Sequence, residues 1–196
     1  MRLFVAVELD RGLQRALARA WDSIVPGLAI EPRGEGLRPV GEELLHVTLR
    51  FIGETSDDRI TDVIAAAEAA AAAFTPFAFA VRGLGCFPKE QLARVLWAGI
   101  EPCKPLEQVA RRVETELRAR GFPPEPRGFS PHITLARAKG APVRLAAPLD
   151  PLQPRFGEQE VDALTVMESR LSPRGPIYVP VAQASLADEA PPPTGP

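Results

Sequence analysis

The segments LLHVTLRF (residues 44–51) and SPHITLAR (residues 130–137) carry the chain's only two histidines, each in the pattern His-apolar-Thr-Leu. That repetition constrains the fold more than any other feature. Side chains alternate across a β-strand, so His46 and Thr48 share one face while Val47 and Leu49 share the other. His132 and Thr134 likewise face away from Ile133 and Leu135. Each segment reads as a strand with an apolar face for a core and an imidazole–hydroxyl face for chemistry. By the same alternation Arg50 falls on the His46 face. Eight of the 196 residues are threonine, so chance places Thr two positions after both histidines roughly once in 600 sequences.

The strands sit in a repeated order of elements. Residues 2–9 (RLFVAVEL) form a short β-rich apolar run. Leu13, Leu17, Trp21 and Ile24 then recur at helical spacing over 10–25, with Asp10 as N-cap. The strand bearing His46 follows, after a Pro- and Gly-rich loop over 26–42. A second strand–helix–strand unit comprises 94–100, an amphipathic helix over 104–120 ended by Gly121, and the strand bearing His132. Between the units, Ser56 is placed to cap a helix that the alanine run 65–73 continues. Residues 77–85 alternate as a strand. The proline-rich stretch 138–158 reads as wandering chain, and 161–171 and 175–182 as two closing strands. If the two units pack about a pseudo-twofold axis, both polar faces line one cleft.

Composition sets the setting. With 45% hydrophobic residues and a mean hydropathy of −0.03, the chain reads as a soluble globular protein. Residues 1–186 are expected to form a single domain and 187–196 a disordered Pro-rich tail. No apolar run reaches the roughly 18–20 residues of a membrane span, and the first residues lack a secretory pattern. Cys86 and Cys103 are isolated thiols, which fits a reducing, cytoplasmic setting. A net charge of −2 excludes a surface-wide nucleic-acid interface and confines such contact to a cleft. Nothing reads as a dimer seam, so a monomer is expected.

Two imidazoles facing one pocket suit general acid–base catalysis. One takes a proton from an attacking water while the other protonates the departing oxygen. The threonine hydroxyls can hydrogen-bond non-bridging phosphate oxygens, and a nearby Arg adds positive charge. Two histidines without clustered Cys or carboxylate partners make a poor metal site, so neither metal nor cofactor is expected. A Ser-His-acid hydrolase lacks its Gly-x-Ser-x-Gly turn.

These phrases resemble a known family. RLFVAVEL, HVTLRFIGE, GLGCFP, RVLWAGI, FSPHITLAR and ESRLSPRGPIY, in that order over about residues 2–183, are similar to the RNA 2′,3′-cyclic phosphodiesterases, also called LigT-like or 2′-5′ RNA ligase proteins, of the two-histidine phosphoesterase superfamily. The resemblance implies an α+β, bilobal fold with two pseudo-symmetric β-α-β lobes and antiparallel sheets around a central cleft. It implies metal-independent opening of a 2′,3′-cyclic phosphate at an RNA 3′ end, or in a cyclic nucleotide, to leave a 2′-phosphate. His46 would be the proton donor and His132 the acceptor, with Thr48 and Thr134 on the phosphate. Arg137 matches a substrate-contacting position, although strict alternation places it opposite His132 unless a bulge intervenes. Phe4 would stack on the terminal base, and Arg50 remains a further candidate for substrate contact. Ligation of tRNA halves through a 2′-5′ bond and non-catalytic binding of RNA ends are the alternatives. The segment before the first motif, EGLRPVGEELLH, is longer than the family phrase and carries Leu37 where an aromatic is usual, which implies an altered cleft rim.

Overall fold

The computed structural model describes residues 1–24, 28, 30–31, 36–145, 149, 153–173 and 175–188. In chain order its elements are β1 (Arg2–Glu8), α1 (Arg11–Ile24), β2 (Ile30–Glu31), β3 (Leu37–Pro39), β4 (His46–Glu54), α2 (Ile60–Ala71), β5 (Phe77–Phe87), β6 (Val95–Ile100), α3 (Lys104–Ala119), β7 (His132–Ala138), β8 (Arg144–Leu145), β9 (Arg155–Val161), β10 (Ala163–Ser172) and β11 (Gly175–Ser185).

The start of α1 and the end of α3 each have a visible cause. The Asp10 Oδ1 accepts from the Leu13 N–H at 2.8 Å, an N-cap worth about 1 kcal/mol. Gly121, at φ +80°, stops α3, and the Phe122 N–H closes onto the Leu117 carbonyl at 3.1 Å. Ser56 departs from expectation. It makes no side-chain cap bond, because residues 57–59 form a 3-10 turn before α2 begins.

Among the described residues, nine strands join one sheet in the order β11-β10-β1-β4-β7-β6-β5-β9, with β3 added beside β7; β2 and β8 pair separately. The pairings are antiparallel. The seam lies in the middle, where β4 meets β7 through one pair, Val47 with Ile133. On one side of it β1 and β4 are paired along their length, and on the other β6 and β7. The fold is thus α+β, with two halves built around the motif strands.

The helices exchange halves. Helix α1, from the first unit, packs on β9 and β7 of the second half. Helix α3, from the second unit, packs on β4 and on α2, which covers β10 and β11 of the first half. One sheet face is therefore buried under helices. Leu3, Val5 and Val7 of β1 meet Leu13 and Leu17 of α1, Val63 and the alanines of α2, and Val109 and Val113 of α3 in one core. Each leucine or valine among them contributes about 1.5–3 kcal/mol on full burial. The other face of β1 buries only a small cluster, Phe4 and Ala6 with Met167, against which Tyr178 packs. That second face holds the cleft.

Four strands lie where loop was expected. β2 and β3 fall within 26–42, β8 falls within 138–158, and β9 begins there and runs on to Val161. The polar run of β9 hides its role, because β9 is the sheet edge and takes its order from the long partner β5, from Phe77–Val161 to Arg82–Arg155. Gln159 on β9 is buried, and its Oε1 accepts from the Asp10 N–H at 2.8 Å. From residue 189 onward the Pro-rich tail lies outside the described residues. Ala187 donates its N–H to the Phe74 carbonyl at 2.8 Å, so the chain stays against the fold through that residue. No described helix is long and apolar enough to cross a membrane.

Candidate active site

Both motif strands carry the same irregularity. Thr48 pairs with Ala6, but the next ladder step joins Arg50 to Val5, so Leu49 is an extra residue. Likewise Thr134 pairs with Trp97 and Ala136 with Leu96, so Leu135 is extra. A β-bulge of this kind resets the alternation. Two consecutive residues, Leu49–Arg50 and Leu135–Ala136, turn into the buried face. The residue after them, Phe51 or Arg137, comes round to the histidine face. Phe51 then stacks on Phe4, with ring centroids 5.6 Å apart and planes 14° from parallel. Arg137 reaches the cleft that His46 and Thr134 line.

The bulge corrects the expected place of Arg50. Its side chain is only 7% exposed, on the face away from His46. There Nε donates to Glu114 at 2.6 Å, one terminal nitrogen donates to Glu125 at 3.3 Å, and the other to the Pro123 carbonyl at 2.5 Å. Arg50 therefore cannot reach a substrate in the cleft. Phe4 is corrected as well. At 1% exposure it offers no free face to a base. It lies beneath His46 at 5.0 Å and meets Tyr178 edge-on at 5.0 Å, so it supports the site from below.

The two imidazoles are held alike. His46 Nδ1 lies 2.7 Å from the Leu44 carbonyl, and His132 Nδ1 lies 2.7 Å from the Ser130 carbonyl. A carbonyl only accepts, so the hydrogen-bond network assigns the proton of each neutral ring to Nδ1 and leaves Nε2 as the working atom. His46 Nε2 takes the Thr48 hydroxyl at 2.9 Å. With Val47 opposite Ile133, the antiparallel register carries His46 toward Thr134 and His132 toward Thr48. The rings are close enough that the charge of His132 acts on His46.

Aromatic rings brace both histidines. Tyr178 meets His46 edge-on at 5.1 Å. Phe87 meets His132 edge-on at 5.0 Å, with Trp97 at 6.2 Å. The Trp97 ring lies directly over Gly85, where a Cβ would come within 2.1 Å of it; the ring's place depends on that missing side chain. Burial lowers the pKa of both histidines below the ordinary 6.5; each carbonyl bond opposes this, and the Arg137 charge lowers both further. Tyr178 is raised by burial and drawn back by Arg137 and Arg2.

The depressed histidines set a sign for stability. Below pH 6.5 the unfolded chain takes up protons that the folded chain refuses, so stability falls as pH drops from 6.5 through the lowered folded values. Thermal melts at pH 7.5 and 5.5 should show a larger loss of Tm in the wild type than in His46→Asn/His132→Asn. Equal losses would show that the histidines do not carry this dependence.

The cleft has a volume of about 560 Å³, within the range of small-molecule sites. His46, Thr134, Arg137 and Tyr178 line it, together with Arg38 and Pro39 of β3 and Ser172, Gly175 and Pro176 at the turn between β10 and β11. Among the described residues, no three His, Cys, Asp or Glu side chains converge as a metal-binding group. Sequence reasoning missed Phe51, Tyr178, Trp97 and Phe87. The repeat held one signal, since Phe51 and Arg137 both stand five residues after a histidine. Tyr178, the chain's only tyrosine, gave none beyond its scarcity.

Comparison with known proteins agrees with this geometry. A family model described as the 2′-5′ RNA ligase superfamily matches residues 13–172. A protein of Methanothermobacter thermautotrophicus named RNA 2′,3′-cyclic phosphodiesterase is 32% identical over 181 residues, covering 91% of this chain and 95% of its own. One of the same name from Aeropyrum pernix is 34% identical over 177 residues, covering 87% and 95%. A crystal structure from Thermus thermophilus superposes with TM-score 0.78 at 33% identity, covering 95% of this chain and 98% of that one. LigT of E. coli, solved with phosphate, superposes with TM-score 0.71 at 25% identity, covering 94% and 96%. With its paired motifs on facing strands and this match along most of its length, the chain belongs to the 2′-5′ RNA ligase superfamily.

Proposed function

We infer that the protein hydrolyses 2′,3′-cyclic phosphates at RNA 3′ ends to 2′-phosphomonoesters. The observation that carries this reading is the pair of carbonyl-anchored imidazoles on adjacent paired strands, each with Nε2 free of its anchor, with His46 and Thr134 lining a cleft beside Arg137. Relatives of 32% and 34% identity bear the name of that activity, and a fold neighbour was solved with phosphate.

In the proposed cycle the His132 Nε2 takes a proton from water as the water oxygen bonds phosphorus. The P–O3′ bond breaks, and the His46 Nε2–H delivers its proton to O3′. The phosphate remains on O2′, and exchange of one proton between the rings and solvent restores the start. Thr48 and Thr134 hydroxyls hold the non-bridging oxygens, and the Arg137 guanidinium meets the charge that gathers there. The donor set of the cleft favours turnover without a metal, so a chelator should leave the rate within error of the untreated protein. Working as a monomer in a reducing cytoplasm fits the free thiols of Cys86 and Cys103. Product analysis on a cyclic-phosphate-ended RNA decides the reading. A 2′-phosphate supports it; a 3′-phosphate, or no turnover, overturns it. The superfamily name favours one second reading, ligation of a 5′-hydroxyl RNA end by the reverse reaction, which would yield joined product when two RNA halves are supplied.

The pH profile follows from the free protein. A neutral base and a protonated acid give a bell in kcat/KM, and with both histidines lowered its centre should lie below 6.5. Arg137→Gln removes a charge that lowers both, so its bell should move to higher pH while the rate at the optimum falls roughly 10²-fold. A bell that stays in place would separate Arg137 from the two imidazoles.

A further inference from the structure

Where β3 pairs with β7, Arg38 stands directly across from Arg137. Both side chains are exposed and both line the cleft. Among the described residues, neither has an ion pair. Glu43 is also at the cleft mouth, but its carboxylate turns back over Gly41, 2.7 Å from where a Cβ would stand. Like charges opposite one another on paired strands destabilise the sheet, and a guanidinium pair facing a cavity is relieved by anions that each fork can grip bidentately. Arg137 lies near enough to His46 and His132 to lower both, whereas Arg38 is not among the charges acting on them. The two guanidinia thus serve different places. The cleft continues along β7 from Thr134 to Lys139, five residues of extended chain or roughly 16 Å. Its other wall is the turn end of β11, where Pro176 lines the cleft beside Ile177, which is 51% exposed.

We propose that Arg38 holds the phosphodiester one nucleotide upstream of the reacting end, with that nucleotide's base against Pro176 and Ile177, so that the protein selects RNA chains over cyclic mononucleotides. The proposal rests on the cyclic-phosphate reading of the same cleft. A basic wall facing an apolar one is the chemistry that single-stranded RNA needs, one for its backbone and one for its bases. The bulge that brings Arg137 to the reacting phosphate leaves its cross-strand neighbour one step along the groove.

The test compares kcat/KM for a 2′,3′-cyclic mononucleotide with that for an RNA tetranucleotide ending in a 2′,3′-cyclic phosphate. In Arg38→Gln the ratio of RNA to mononucleotide kcat/KM should fall about tenfold, the expected weight of one charge-assisted phosphate contact, and mainly through KM. The salt dependence of the RNA KM should lose about 0.7 in its log–log slope. Ile177→Ser, on a different element, should lower the same ratio. A ratio unchanged in both variants, with melting curves like the wild type, overturns the proposal. If the wild type turns over neither substrate, the cyclic-phosphate reading fails on its own. Fluorescence anisotropy of a labelled RNA tetranucleotide with a 2′-phosphate end then decides Arg38 separately. Several-fold weaker binding by Arg38→Gln at low salt upholds the upstream contact, and equal binding removes it.

Discussion

Replacing His132 by alanine should lower hydrolysis of a 2′,3′-cyclic phosphate by roughly 10²–10⁴-fold, the usual contribution of a positioned general base. His46→Ala should cost a similar factor by leaving O3′ without a proton. The double variant should be little worse than either single one, because the two rings act as a unit. The residual activities distinguish the roles. A general base gives the rising acid limb of the pH profile and a general acid the falling alkaline limb. His132→Ala should therefore lose the rise and His46→Ala the fall. The reverse pattern would exchange the proposed roles, and more than about a tenth of wild-type activity in either variant would remove the two-imidazole mechanism altogether. Neither substitution should prevent folding. Each ring is braced on the cleft face, whereas Val47 and Ile133 supply the core contacts at full burial.

The largest expected loss of stability lies on the other face of the same strand. Arg50→Ala removes the guanidinium that binds Glu114, Glu125 and the Pro123 carbonyl. Glu114 and Glu125 are 25% and 31% exposed, so water relieves them in part. The cost should fall near the lower end of the range for a broken buried pair, about 3 kcal/mol. For a domain of this size that lowers Tm by roughly 6–12 °C. Arg50→Met/Glu114→Leu should recover much of the loss, because it also removes the carboxylate held at 2.6 Å and leaves only Glu125, at 3.3 Å and 31% exposed, for water to solvate. A drop in Tm below about 2 °C for Arg50→Ala would mean that solvent already screens the cluster. The cluster also joins the two halves. Arg50 follows the first motif, while Pro123 and Glu125 lie in the segment that leads from α3 into the second motif strand.

The chain's own order of residues determined the paired motifs, the helical stripes and the apolar backing of both strands. Each of these is a local periodicity. Val47 and Ile133, one residue after each histidine, had to be buried for either imidazole to face outward, and both are at 0% exposure. Asp10 and Gly121 marked helix ends because capping and positive φ depend on neighbouring backbone alone. Tertiary structure decided what alternation could not. An extra residue at Leu49 and at Leu135 depends on the register of β1 and β6 beside them, and no count along the strand reveals it. That single step sent Arg50 into the buried face, brought Arg137 to the cleft and put Phe51 on the histidine face against Phe4. Strand β9 became a strand only because β5 is long enough to receive it, and Arg38 met Arg137 only because β3 found a vacant edge where β4 and β7 part. Periodicity records which face a residue prefers; which neighbour it meets there is set by pairings between segments far apart in the chain.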